Sequence, residues 1–128
     1  MKISDIKELG DRIENGGWMD DIPGLPGLRL KVRGVGSTAY RRLEARLIET
    51  VPRAERTRGI DRDTAEGIAS RCLHEVALVD WAGLTGEDGE LLRYDPETAR
   101  MLLTDPLYQN FRLGVIWAAE RVGRLVGD

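Results

Sequence analysis

The sequence predicts an α+β fold, a mainly α protein with a small N-terminal β-hairpin and a compact helical domain of about four helices. Two patterns lead to this prediction. Apolar residues alternate with basic ones from residue 28 to residue 33, as in a half-buried strand. Beyond residue 37, apolar residues recur at helical spacing between prolines and glycines. A chain of 128 residues suits one domain of this kind.

Residues 1–27 are predicted to form an N-terminal arm that contains a short helix and the first strand. Ser4 is placed to cap that helix. Its apolar stripe consists of Ile6, Leu9 and Ile13.

The segment 15–37 contains six glycines and two prolines, which disfavour a helix and favour extended pieces joined by turns. The strand around Leu30 is expected to pair with the stretch around Trp18, giving the hairpin. Residues 28–128 are therefore predicted to be a single helical domain that is entered by a strand.

Helix starts are marked by capping residues. Ser37 precedes a helix that Pro52 ends, and the apolar face of that helix is formed by Tyr40, Leu43, Leu47 and Val51. A long central helix is predicted to begin with Asp63 and Glu66 spaced as a capping box and to run towards Trp81.

Two later helices are predicted to begin with an aspartate followed by proline, at Asp95 and at Asp105. The last of them extends towards the end of the chain. One of its faces carries Phe111, Val115, Ala118 and Val122.

The formal net charge of −3 conceals two segregated halves. Ten basic and four acidic residues lie between Arg29 and Arg62, whereas ten acidic and three basic residues lie between Asp63 and Asp105. Such charge separation favours either attraction between the two halves of one chain or head-to-tail self-association of copies. Salt would weaken both interactions. Nucleic-acid binding is not expected, because the basic half has one aromatic residue, Tyr40, and the acidic half repels phosphate.

The start of the chain and its apolar runs are not expected to carry a targeting or membrane signal. The first residues lack the apolar stretch of a signal peptide, and no apolar run approaches the length of a membrane span. The single cysteine, Cys72, excludes an internal disulfide. These features predict a cytosolic protein with no membrane association.

The five carboxylates from Asp80 to Asp95 raise the question of an active site or a metal site. Their spacing does not match an EF-hand loop, and one histidine with one cysteine cannot make a zinc site. His74 could act with Ser70 or Cys72, but no third group is spaced to orient it. We therefore expect no catalytic residue, no metal and no cofactor. A hydrolase that combines His74 with the acidic loop stays open as a rival.

Five residues are candidates for partner binding. Trp18 and Met19 lie on the predicted hairpin, where an exposed aromatic residue can anchor a partner. Leu113, Ile116 and Trp117 form a second apolar stripe on the last helix, and full burial of that helix is the competing interpretation. Trp81 and Trp117 are interpreted as core anchors.

One segment resembles the tail assembly chaperone family of long-tailed bacteriophages and related prophages. The residues that carry the resemblance form a D-W-x-G-L-T pattern, an acidic glycine turn, and an aromatic residue before a Pro-Glu helix start. They are Asp80, Trp81, Gly83, Leu84, Thr85, Gly89, Tyr94 and Pro96. The order of the flanking elements extends the resemblance from about Leu28 to Val122, and the arm before it has no counterpart.

The resemblance implies a mainly helical, non-enzymatic protein that works in the cytoplasm of the bacterial host. Its first partner would be the tape-measure protein, which it would keep soluble through many weak contacts. Its second partner would be the tail-tube protein, whose subunits it would help to recruit around the tape-measure protein. It would leave before the virion is finished, and its motif residues would have structural roles. The alternative from the residues alone is a small non-enzymatic adaptor or regulatory protein that docks through the Trp18 hairpin.

Overall fold

A computed structural model describes residues 1–124; the predicted domain 28–128 and its last helix extend into residues 125–128, which lie outside the described residues. The helices are α1 (Ile3–Asn15), α2 (Thr38–Glu49), α3 (Arg53–Arg58), α4 (Arg62–Cys72), α5 (Pro96–Thr104) and α6 (Gln109–Arg121). The strands are β1 (Gly17–Met19), β2 (Arg29–Val32) and β3 (Leu78–Ala82). A π-helical turn (Leu73–Ala77) leads from α4 into β3, and a 3-10 turn (Pro106–Tyr108) precedes α6.

The fold-class prediction of a helical domain with an N-terminal hairpin is wrong. The strands form a three-stranded antiparallel sheet in the order β1-β2-β3, inside a chain that begins with α1 and has six α-helices up to residue 124. The error lies at Leu78–Ala82, expected to be the end of the central helix. This segment instead pairs with β2, with Leu30 opposite Trp81.

Pairing of β2 with the stretch around Trp18 is confirmed, since Trp18 lies opposite Lys31 and Met19 opposite Leu30. Side chains alternate between the two faces of a strand, so one face of β2 is apolar and the other is polar. Leu30 and Val32 are fully buried on the inner face. The sheet therefore has a core side and a solvent side.

Three predicted helix caps are present. Ser37 Oγ accepts from the Tyr40 N–H at 3.2 Å, and the Asp95 carboxylate accepts from the Thr98 N–H at 2.9 Å. Asp105 also caps, accepting from the Leu107 N–H at 2.9 Å, but it begins the 3-10 turn rather than α6 itself.

Two predicted caps are wrong. The cap of α4 is Asp61, whose carboxylate accepts from the Thr64 N–H at 2.8 Å, so Asp63 lies inside the first turn. The helix α1 begins at Ile3, which places Ser4 inside its first turn as well. A capping side chain must sit on the extended residue just before the helix, and sequence spacing alone misplaced it by two residues.

The core lies between the inner face of the sheet and the helices α2, α5 and α6. Phe111, Val115 and Ala118 line one face of α6 and are buried, as the spacing predicted. The fully buried Leu73 comes from the π-helical turn. No helix within residues 1–124 is long and apolar enough to cross a membrane.

Candidate functional site

Trp81 anchors the segment that carries the family resemblance. The residue is 5% exposed, and its ring makes edge-to-face contacts with Tyr94, at 5.0 Å between centroids, and with Phe111, at 6.0 Å. The indole Nε1–H donates to the Leu92 carbonyl oxygen at 2.7 Å, so the one polar atom of the ring is satisfied. The prediction that Trp81 is a core anchor is confirmed.

The other residues of the pattern build the bend that follows β3. Asp80 lies opposite Lys31 on the solvent side of the sheet. Gly83 has a φ of +83°, and a Cβ there would overlap the carbonyl oxygen of Gly27, so only glycine fits without a backbone shift. Pro96 occupies the first turn of α5, directly after its cap.

The acidic loop folds into a small hairpin-like turn. The Leu92 N–H donates to the Leu84 carbonyl at 2.8 Å, and Thr85 and Leu91 form an isolated antiparallel bridge. Gly89 has a φ of +81°, the left-handed conformation that favours glycine in a turn. Burial raises the pKa of Tyr94, and the nearby carboxylates of Asp80 and Asp95 act in the same direction.

An open cleft of about 560 Å³ lies between this turn, the segment around Leu25, and the junction of α5 and α6. Its apolar lining includes Leu25, Leu84, Leu92, Met101, Leu107 and Tyr108. We name it the apolar cleft. Leu107 is 88% exposed, and Met101 and Tyr108 are each 41% exposed, so a run of apolar side chains faces solvent here. Exposed apolar surface of this kind is typical of binding sites.

Sequence reasoning missed the apolar cleft. Gly83, Leu84 and Thr85 of the pattern line it, but none of the five residues predicted for partner binding does. One feature of the sequence could have indicated the cleft. Met101 and Leu107 are apolar but lie outside the buried stripe of their helices, so they were candidates for an exposed apolar surface.

The two hairpin candidates have different environments. Trp18 is half-buried on the solvent side of the sheet, with the Arg29 guanidinium 5.0 Å from the centre of its ring. Met19 is also half-buried, but it packs against the hydrophobic core. Trp18 is therefore the more accessible of the two to a partner on this face.

The three residues of the apolar stripe predicted on α6 also differ in their exposure to solvent. Leu113 is 52% exposed, whereas Ile116 and Trp117 are half-buried and pack against the core. The Arg121 guanidinium lies 4.9 Å from the ring of Trp117 and donates to its carbonyl oxygen at 3.1 Å.

A second cleft, of about 760 Å³, lies on the other side of α5, between α4 and the start of α6. We name it the arginine cleft, because four arginines line it: Arg62, Arg71, Arg100 and Arg112. Ser70 and His74 also line it. Arg112 Nη1 donates to Ser70 Oγ and to the Leu103 carbonyl oxygen, which ties α6 to α4 and α5.

The groups required by a hydrolase mechanism lie apart. His74 lines the arginine cleft, whereas Glu87 of the acidic turn lines the apolar cleft. Burial lowers the pKa of His74, and the cations Arg100 and Arg71 add to this effect against the opposing pull of Glu75.

Cys72 is fully buried, and burial raises the pKa of its thiol to about 11. A thiol with so high a pKa is a poor nucleophile at neutral pH. No group of three or more histidine, cysteine or carboxylate side chains suited to holding a metal ion occurs among residues 1–124.

Comparison with curated proteins and with solved structures found no match. A family model described as YdaY prophage protein matches residues 35–124. The matched region begins just before α2, contains the whole segment from Asp80 to Pro96, and covers most of both clefts. The chain therefore belongs to the YdaY prophage protein family and is a phage-related protein.

Proposed function

We propose that this prophage protein is a tail assembly chaperone that keeps the tape-measure protein soluble and helps recruit tail-tube subunits. The observation that carries the proposal is the apolar cleft, an exposed apolar surface built in part by the residues of the tail-chaperone pattern. Family membership supports the phage context. On this proposal the protein acts in the host cytoplasm, needs no catalytic group or cofactor, and is absent from the finished virion.

The shape and lining of the apolar cleft suit an amphipathic helix from a client. Such a helix places apolar residues on one face at three- and four-residue intervals and buries them in a groove. Leu107, Met101 and Tyr108 offer side chains that gain from this burial, at about 1.5–3 kcal/mol for a fully buried leucine or methionine. One cleft gives a weak contact, and many copies along one long client give tight but displaceable binding.

The acidic turn gives the cleft a polar rim. Glu87 lines the cleft opposite apolar residues, and Asp88 Oδ1 accepts from the Glu90 N–H at 3.0 Å, which holds the turn in shape. A polar rim around an apolar centre is the usual composition of a protein interface. The rim would favour client helices with basic residues beside their apolar face.

The test is co-expression with the tape-measure protein of the same genome, followed by size-exclusion chromatography of the soluble fraction. We expect the client to become soluble and to elute with this protein in a large complex. A client that precipitates while this protein elutes alone as a small species would refute the proposal.

Two matched leucine variants locate the site. Leu107→Glu places a charge in the apolar cleft and should abolish co-elution, because the client would have to desolvate that charge. Leu113→Glu changes an equally apolar, exposed residue of α6 outside the lining of the cleft and should leave co-elution intact. The opposite result would assign binding to the stripe of α6.

An adaptor that docks through Trp18 is a second candidate function, because Trp18 lies half-buried on an edge strand with its side chain on the solvent side of the sheet. Edge strands and exposed aromatic rings are both used in protein recognition. Trp18→Ala should leave tape-measure binding unchanged if the chaperone proposal holds. Loss of a cellular partner with Trp18→Ala, together with no effect of Leu107→Glu, would favour the adaptor.

A further inference from the structure

The arginine cleft combines four cationic side chains with a hydroxyl and an imidazole, and the proposed chaperone function uses none of them. Ser70 and Arg71 of α4, together with His74 of the π-helical turn that follows it, form one wall. Arg100 of α5 and Arg112 of α6 come from the opposite wall. Hydrogen-bond donors thus surround the same space from three helices.

Arg112 is the central residue of this arrangement. It is half-buried, and no carboxylate within residues 1–124 lies at ion-pair distance from it. Its Nη1 is engaged by Ser70 and the Leu103 carbonyl, which fixes the plane of the guanidinium. The described contacts leave the Nε and Nη2 donors available. A half-buried cation without a counterion favours an anionic ligand.

The other two arginines near this point can be recruited at little cost. Arg71 pairs with Glu75 at 2.6 Å and Arg100 with Glu97 at 3.6 Å, and both pairs are exposed to solvent. Exposed ion pairs add little to stability, and Arg71 uses its Nε and Nη2 for Glu75, so its Nη1 makes none of the described hydrogen bonds. An anion in the cleft can therefore share these guanidinium groups without a large loss of stability.

We propose that the arginine cleft binds a phosphate group carried by a small molecule. A tetrahedral oxyanion accepts hydrogen bonds from several directions, which matches donors on three helices, whereas one guanidinium fork satisfies a planar carboxylate. The volume of about 760 Å³ lies within the range of roughly 300–1,000 Å³ typical of small-molecule sites.

Three acidic residues also line the arginine cleft. Each of them either makes a contact with another group of the protein or lies far from Ser70 and His74. Glu66 pairs with Arg62 at 3.4 Å, and the Asp105 carboxylate accepts from the Leu107 N–H at 2.9 Å. Asp63 lies in the first turn of α4, seven residues before Ser70, which is about two helical turns away. Glu75 and Glu97 offset the charges of Arg71 and Arg100 near Ser70 and His74, so the positive balance of this half of the cleft comes from Arg112.

His74 provides the readout, because it is the only histidine of the chain. Its imidazole signal is followed by NMR at pH 7 while inorganic phosphate replaces chloride at constant ionic strength. We expect a saturating change in chemical shift. Acetate at the same ionic strength should give no saturating change. A second titration compares the pKa of His74 with and without sulfate, which should raise it because a nearby anion stabilises the imidazolium.

Arg100→Gln and Arg112→Gln should each weaken phosphate binding about tenfold, the loss expected for one charge-assisted contact. Arg100 is exposed, so its variant separates binding from folding even if Arg112→Gln is unstable. Arg53→Gln on α3, outside the lining of the cleft, is the matched control and should bind as the unchanged protein does.

Three results would overturn the proposal: a linear, non-saturating response to phosphate, an equal response to acetate, or equal binding by the Arg100→Gln and Arg53→Gln variants. A peptide with the sequence of residues 84–92 serves as the acidic protein probe. Tighter binding of this peptide than of phosphate would also overturn the proposal, in favour of an acidic protein segment. None of these results depends on the tape-measure protein, so failure here and failure of the chaperone proposal are distinguishable.

Discussion

The region around Trp81 and the helix α1 are both built from apolar residues on one face, yet only the first is buried. Trp81 is 5% exposed and Leu30 is fully buried, whereas Ile3 is 85% and Ile6 is 58% exposed. No residue of α1 is buried. An amphipathic pattern therefore predicts a helix or a strand, but burial also requires a facing surface.

The difference lies in how each region is attached. Trp81 is enclosed by β2, the acidic turn and α6, while α1 is attached through its last turn. There the Ile13 carbonyl accepts from the Gly34 N–H at 2.9 Å, and the Glu14 carboxylate accepts from the Thr38 N–H and hydroxyl at 3.0 to 3.2 Å. The first half of α1 consequently presents its apolar face to solvent.

The largest expected effect is that of Trp81→Ala. Removing a buried indole that contacts two rings and satisfies the Leu92 carbonyl should lower the free energy of unfolding by about 3–5 kcal/mol. Urea denaturation followed by circular dichroism measures it. Trp18→Ala, on the solvent side of the same sheet, is the control and should cost under about 1 kcal/mol. Equal losses for both variants would remove the contrast between the two faces.

Gly83→Ala should have the next largest effect, about 2–3 kcal/mol, because the new methyl group both meets the Gly27 carbonyl and sits at positive φ. Gly89→Ala tests the effect of the positive φ alone. Its φ is +81°, but the space around it is open, so it should cost about 1–2 kcal/mol. Thermal melts of both variants test this order, and a greater loss for Gly89→Ala would contradict it.

The two ends of α1 should respond differently to the same substitution. Ile13→Ala removes a side chain that lies close to Gly34 and Gly123 and should cost about 1–2 kcal/mol. Ile6→Ala, on the exposed end, should change the stability by less than about 0.5 kcal/mol. Denaturant midpoints measured on the two variants together make the comparison. Similar losses would show that the exposed end is also held by contacts.

Among the variants that remove a contact, the smallest effect on global stability is expected for Glu14→Ala, which removes the acceptor at the start of α2. We expect a loss below about 1 kcal/mol, since the hydrogen bonds involved are exposed. Hydrogen exchange is the sensitive measurement here. Amides of α1 should exchange faster in the variant while amides of α6 keep their protection. Unchanged exchange in α1 would mean that the contact with Thr38 does not hold the helix.

Several features of this protein follow from the sequence alone, because each depends on groups a few residues apart. Ser37 and Asp95 cap the helices that follow them, and Gly89 takes the positive φ of its turn. A cap or a turn is decided by local hydrogen bonds and backbone sterics, which the neighbouring residues specify. The same local reasoning predicted the pairing of β2 with Trp18.

The remaining features were decided by the tertiary structure. Leu78–Ala82 has a composition that suits a helix or a strand, and the free edge of β2 selects the strand. The arginine cleft depends on Arg112 reaching Ser70, 42 residues away, and the apolar cleft on the segment around Leu25 meeting α5 and α6. Contacts between distant segments depend on how the elements pack around a shared core, and that packing leaves no periodic signal in the sequence of any one element.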